Sequence, residues 1–212
     1  MTDEKKMLSA LIVRYPQLDI CKESIWNAYQ ILCASFKEGG KLLIAGNGGS
    51  AADAEHIVGE LMKGFVKERK LEESEKAAIM RLNPEMGEAL CRYLQKALPA
   101  IALSGHVALS TAYMNDVDGS FGFAQQAYGY GKKGDVLLGI TTSGNSRNVL
   151  YAVLAAKAKG LKTVALTGQS GGRIKEMADQ TIAVPETEAY KVQELHLPIY
   201  HTLCLMLEET FF

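Results

Sequence analysis

The stretch GNGGSAADAEHIVGEL, residues 46–61, sets His56 and Glu60 four residues apart just after a glycine turn. On a helix that spacing puts both side chains on one face, where an imidazole and a carboxylate can meet the same ligand. Such a pair suits proton transfer at carbon, with the carboxylate as base, and it also suits metal binding. The plain structural alternative is a solvated His/Glu pair on a helix surface. The anion-type turn before the pair favours the chemical reading. His201 lies in the apolar run LPIYHTLCLML, where a lone histidine is more often a satisfied core or interface residue. His196 reads as structural, and His106 as the opening of a helix after the run ALS.

Two turns could hold an anion. GNGGS (46–50) closes the run KLLIAG, and TTSGNSRN (141–148) closes DVLLGI. Glycines let the backbone approach a phosphate, and a following helix offers unpaired N–H groups and its dipole. The hydroxyls of Thr141, Thr142, Ser143 and Ser146 add neutral donors at the second turn. Gly46, Gly48 and Ala51 fit a dinucleotide fingerprint, but that motif needs an acidic residue closing a second strand about 20 residues on. Here that region reads KERKLEESE, and no Gly-Lys-Ser/Thr loop exists. No nucleotide cofactor is expected.

These residues need a scaffold, and the chain supplies one. KLLIAG (41–46), PAIALS (99–104), DVLLGI (135–140), TVALTG (163–168) and QTIAVP (180–185) are short apolar runs separated by helical segments. That alternation predicts an α/β fold of three layers, doubly wound, around a mostly parallel five-stranded sheet. Residues 1–37 read as extra N-terminal helices broken near Pro16, and 67–98 as an exposed helical excursion within one domain spanning 1–212. A last helix, about 191–210, carries Leu195, Ile199, Leu203 and Leu207 on one stripe. The stripes of the first and last helices are expected to lie in subunit contacts. With 48% hydrophobic and 22% charged residues and a net charge of −1, nothing points to nucleic acid. The apolar runs fall short of a membrane span, and Arg14 and Pro16 interrupt the one near the N-terminus, which argues against a signal peptide. Cys21, Cys33, Cys91 and Cys204 are scattered, as in a cytoplasmic protein with reduced thiols.

Taken in order, GNGGSAADAEHIVGEL, ALS, MND, GDVLLGITTSGNSRNVL, LTGQSGG and VQELHLPIYH resemble the sugar isomerase (SIS) domain family, most closely its bacterial phosphoheptose isomerases. The resemblance covers almost the whole chain. It implies an aldose–ketose isomerase that turns sedoheptulose 7-phosphate into D-glycero-D-manno-heptose 7-phosphate, for surface glycan precursors. It further implies a homotetramer with active sites at subunit interfaces. Glu60 and His201 match the catalytic residues. His56, Glu60, Gln193 and His201 match the ligands of a Zn²⁺ ion. Asn47, Gly48, Gly49 and Ser50, Asn115 and Asp116, and Gln193 match substrate contacts, and Thr141, Thr142, Ser143 and Ser146 a phosphate cradle. Gln193 and His201 are eight residues apart, about 12 Å along one helix, which strains any one-chain zinc site. Three places depart from the family pattern: Gly64 stands where an arginine is usual, with Lys63 beside it, Tyr190 replaces an aspartate, and Thr141 replaces a serine. The rival readings are a non-catalytic SIS module (a sugar-phosphate sensor or a replication-initiator-binding adapter) and an isomerase of another sugar phosphate. The adapters lack the histidine found here at 201.

Overall fold

The computed structural model of the chain describes residues 2–212. Five strands, β1 (Leu42–Gly46), β2 (Ala100–Ala102), β3 (Val136–Thr141), β4 (Lys162–Thr167) and β5 (Gln180–Ala183), form one sheet in the order β2-β1-β3-β4-β5. Every neighbouring pair is parallel. These are the five apolar runs of the sequence. β1 and β3 are buried at every position, because helices cover both faces, and so their sequences run apolar without alternation.

Successive side chains still point to opposite faces. Leu42 and Ile44 join a core with α1 (Asp3–Arg14), α2 (Lys22–Lys37), α3 (Gly49–Met62) and α10 (Ala189–Phe211). Leu43 and Ala45 join a second core under α7 (Gly122–Tyr130) and α8 (Arg147–Ala158). Each fully buried leucine-sized side chain contributes about 1.5–3 kcal/mol relative to exposure. The chain starts in the middle of the sheet at β1, steps outward to β2, then returns to β3 on the other side of β1. That reversal opens a crevice at the carboxyl ends of β1 and β3, the place where such sheets bind ligands.

One expectation needs correction. The apolar stripes of the first and last helices are consumed within the chain: Leu8 and Leu11 of α1 and Leu195, Ile199, Leu203 and Leu207 of α10 are buried in one cluster. Two amphipathic helices of one chain offer each other the nearest apolar partner. The excursion at 67–98 holds an exposed hairpin, α4 (Glu73–Leu82) and α5 (Pro84–Tyr93), whose only buried residue is Gly87. Its lead-in differs, because Arg69 is 1% exposed. The remaining helices are α6 (Val107–Asp116), capped by the His106 side chain, and the short α9 (Ile174–Met177).

Candidate active site

GNGGS is the link from β1 to α3. Gly48 takes φ +54°, a left-handed conformation that glycine enters without steric cost. A Cβ on Gly49 would sit 2.5 Å from Nε2 of Gln193, so the bare backbone there lets that amide of α10 rest on the start of α3. The second turn links β3 to α8. Thr141 Oγ1 and Ser146 Oγ share a hydrogen bond of 2.8 Å, and Ser143 Oγ accepts from the Asn145 backbone N–H at 3.2 Å. Asn47 and Asn148 exchange two side-chain hydrogen bonds of 2.9 and 2.8 Å, which tie the two turns together. Both following helices begin at this crevice, so the positive ends of their dipoles lie beside it. A cleft of about 260 Å³ opens beside Asn47, Gly48, Asn148 and Met114.

α3 and α10 run side by side in the same direction, Gln193 lying over Gly49 and Tyr200 against Asp53 and His56. About two turns beyond Gly49, the pair anticipated on one helix face meets a third group. His56 Nε2 lies 3.2 Å from Glu60 Oε1 and 3.4 Å from His201 Nε2. Glu60 Oε2 accepts from Lys63 Nζ at 3.2 Å. Behind the cluster, Tyr200 donates its hydroxyl proton to Asp53 Oδ1 at 3.2 Å, and its oxygen lies 3.1 Å from His56 Nδ1. With the tyrosine proton committed to Asp53, the network assigns the His56 proton to Nδ1. His56 Nε2 then faces the Glu60 carboxylate and His201. Burial pushes the Asp53 carboxyl up, with Tyr200 and His56 pulling against it. Burial also pushes the Tyr200 phenol up, helped by Asp53. His201 is held below the usual histidine range by burial and then by His56, with Glu60 opposing; this favours a neutral imidazole able to accept a proton.

Other anticipated residues lie apart from this cluster. Gln193 meets the first turn at Gly49, about 10 Å along α3 from His56. Asn115 donates to Asp116 at 2.8 Å on the exposed end of α6, and no hydrogen bond among the described residues links them to either turn. His196 is fully buried without a hydrogen-bond partner on either ring nitrogen. Burial lowers its pKa to about 4, with the Thr167 backbone opposing. Sequence reading missed Asp53, Tyr200 and Asn148. Each had a local signal: Asp53 precedes His56 by one turn, Tyr200 adjoins His201, and Asn148 lies inside the second turn motif. It also missed Arg69 and Glu208, a buried pair that carries no mutual signal.

The donors fit zinc in kind, and in part in spacing. The 3.2 and 3.4 Å separations match the about 3.3 Å between ligands of a tetrahedral ion with bonds of about 2.0–2.1 Å. Among the described residues, however, no three His, Cys, Asp or Glu side chains close into a group able to hold a metal ion.

The sequence matches the SIS domain family model over residues 17–78 and 74–168, and the chain belongs to that family. Among its relatives is the phosphoheptose isomerase of a Nitratiruptor species, 41% identical over 187 residues, which span 88% of this chain and 86% of that protein. A phosphoheptose isomerase structure from Francisella tularensis aligns with a TM-score of 0.76 and 32% identity over 99% of this chain and 100% of the other. One from Neisseria gonorrhoeae aligns with a TM-score of 0.71 and 30% identity over 97% and 91%.

Proposed function

We propose that the protein is an aldose–ketose isomerase converting sedoheptulose 7-phosphate to D-glycero-D-manno-heptose 7-phosphate, for surface glycan precursors. The observation that carries this reading is the approach of His56 to Glu60 at 3.2 Å and to His201 at 3.4 Å, on helices that also frame the switch-point crevice. The phosphoheptose isomerase relatives support it independently.

The reaction moves a proton between adjacent carbons through an enediol. Glu60 takes the C1 proton of the open-chain ketose and returns it at C2, and His201, neutral beforehand, carries the proton between the two oxygens. Thr141, Thr142, Ser143 and Ser146 hold the phosphate with hydroxyl and backbone donors. Asn47, Gln193 and the backbone of Gly48, Gly49 and Ser50 orient the hydroxyls, with Asn115 and Asp116 assisting.

Zn²⁺ belongs to the same proposal. Of the four residues the resemblance implies, His56, Glu60 and His201 would hold it, while Gln193 lies about 10 Å along α3 from His56 and would not; when bound it would supply Lewis-acid polarisation of the sugar carbonyl. The close approach of His56 Nε2 to the Glu60 carboxylate and to His201 supports a cation or a shared proton at that point. Metal analysis of the purified protein, with and without the His56→Ala change, tests this; zinc-free wild-type protein with full activity contradicts it. A homotetramer with sites between subunits is proposed on the exposed apolar faces of α5 (Met86, Leu90, Tyr93) and α6 (Val107, Met114). The free cysteines suit a reducing cytoplasm, and among the described residues no helix is long and apolar enough to cross a membrane.

Coupled turnover of sedoheptulose 7-phosphate against a panel of pentose and hexose phosphates tests the activity. Turnover confined to the heptulose is expected. A wild-type protein that binds the sugar phosphate without turning it over is a sensor, and preferred turnover of a hexose phosphate moves the substrate.

A further inference from the structure

Glu60 lies in the last turn of α3, which ends at Met62. The last carbonyls of a helix have no intrahelical partner, so a terminal turn frays unless something caps it. Here the cap is one buried side chain from seven residues beyond the helix. Arg69 donates through its two terminal nitrogens to the carbonyls of Leu61 at 2.6 Å and Glu60 at 2.9 Å. Its positive charge faces the negative end of the helix dipole. Its Nε donates to Glu208 Oε1 at 2.8 Å, and the pair has no side-chain exposure on either partner. Glu208 also accepts from three consecutive backbone N–H groups, Phe65, Val66 and Lys67, at 2.8, 2.9 and 3.1 Å. Burial alone would raise its pKa, but these four donors outweigh that and hold it below the usual carboxylate range.

Glu208 stands two turns after His201 on α10. The bridge from Glu208 through Arg69 to Glu60 and Leu61 therefore fastens the helix that presents the carboxylate to the helix that presents the imidazole. We propose that Arg69 and Glu208 are positioning residues for catalysis: their buried clamp caps α3 at Glu60 and sets the spacing of Glu60 from His201. The inference rests on the reading that these two groups carry the proton transfer. It also accounts for Gly64. Any Cβ there would meet the Lys67 carbonyl oxygen at 2.5 Å, inside the tight loop that wraps the Glu208 carboxylate, so the chain has given up a side chain at 64 to close this loop.

The test compares Arg69→Lys with the double replacement Arg69→Met/Glu208→Leu, each assayed well below its own melting temperature. Lysine keeps the charge but cannot reach two carbonyls and a carboxylate together. The double variant leaves no buried charge unpaired but frees the Phe65, Val66 and Lys67 N–H groups and the Glu60 and Leu61 carbonyls, so circular dichroism first establishes that each variant is folded. A displacement of about 1 Å at a reacting group can cost about a hundredfold in rate, so kcat is expected to fall by about tenfold to a hundredfold with KM unchanged. Guanidinium ion added to a folded Arg69→Ala protein should restore part of the kcat. A folded variant of either kind with wild-type kcat overturns the clamp, as does a loss carried entirely by KM. Glu60→Gln serves as the separate control. If it stays active, the reading of the base fails, whatever the clamp variants do; if it is dead while the clamp variants run at wild-type rate, only the positioning role fails.

Discussion

Replacing Gly49 with alanine should separate stability from activity. The three nearest heavy atoms to a Cβ at this position all belong to one side chain, Nε2, Cδ and Oε1 of Gln193, at 2.5, 3.0 and 3.2 Å. Ordinary contact begins near 3.4 Å, so the amide has to retreat by about 1 Å, and a flexible glutamine can do that without moving backbone. The helix itself gains, because alanine in place of glycine is favourable by up to about 1 kcal/mol. The melting temperature should therefore hold or rise, by at most about 2–4 °C for a chain of this size.

Activity should move the other way. If Gln193 orients the sugar, a shift of about 1 Å lowers kcat/KM by about tenfold to a hundredfold, equivalent to about 1.4–2.7 kcal/mol of lost transition-state binding. Coupled turnover of sedoheptulose 7-phosphate and a thermal melt on the same preparation read both quantities. Gly48→Ala is the matched control. It has open space around it but φ +54° and ψ −120°, a region side chains rarely enter, so only backbone strain of about 1–3 kcal/mol acts, and the melting temperature should fall. Wild-type turnover in Gly49→Ala would refute a role for Gln193 at the site. A melting temperature that drops as far as in Gly48→Ala would show that backbone, and not the amide, had moved.

Three further outcomes follow from the same geometry. Glu60→Gln keeps shape and removes the base, so kcat should fall by about 10²–10⁴ while calorimetry still registers sugar-phosphate binding; retained turnover would exclude Glu60 as the proton carrier. Tyr200→Phe strips from Asp53 the only hydrogen-bond donor found among the described residues, and its Oδ2 already lacks a partner there. About 1–3 kcal/mol of stability should go with it, seen as a lower denaturation midpoint at unchanged m-value, and an unchanged midpoint would mean that water already serves Asp53. His196 has a folded pKa of about 4 against 6.5 for an unperturbed histidine. Above pH 6.5 both states are neutral there; as pH falls from 6.5 toward 4 the unfolded chain takes a proton that the folded chain refuses. Stability should decline by about 3 kcal/mol across that window, and His196→Leu should flatten the decline. An equal acid slope in the variant would point to other groups.

The fold was legible because its signals are local. Strands covered on both faces write themselves as apolar runs, and the two ligand turns combine glycine, hydroxyls and a following helix within eight residues. His56 and Glu60 were legible for the same reason, since one helical turn links them. His201 was not, on its residue type alone: an imidazole in an apolar stripe reads as core until another element is known to pass beside it. Here the passing element is α3, 145 positions away in the chain, and only the resemblance to a family supplied it. The spacing argument about Gln193 and His201 was sound within its element, and the structure agrees that the two side chains serve different stretches of α3.

Arg69 shows what a composition window hides. KERKLEESE averages to a solvated charge run, yet its one arginine is enclosed, and nothing in that window distinguishes it from the lysines on either side. The signal lies at the other end of the chain, where Glu208 interrupts the apolar run TLCLML that packs against α1. A carboxylate on the buried side of a helix cannot stay ionised without a partner that is buried with it. Of the cations, arginine suits the task because its fork can satisfy a carboxylate and two carbonyls at once. An acid in an apolar stripe is thus a demand for a buried guanidinium somewhere in the sequence. In this chain that demand is met at the point where the helix bearing Glu60 must be held still.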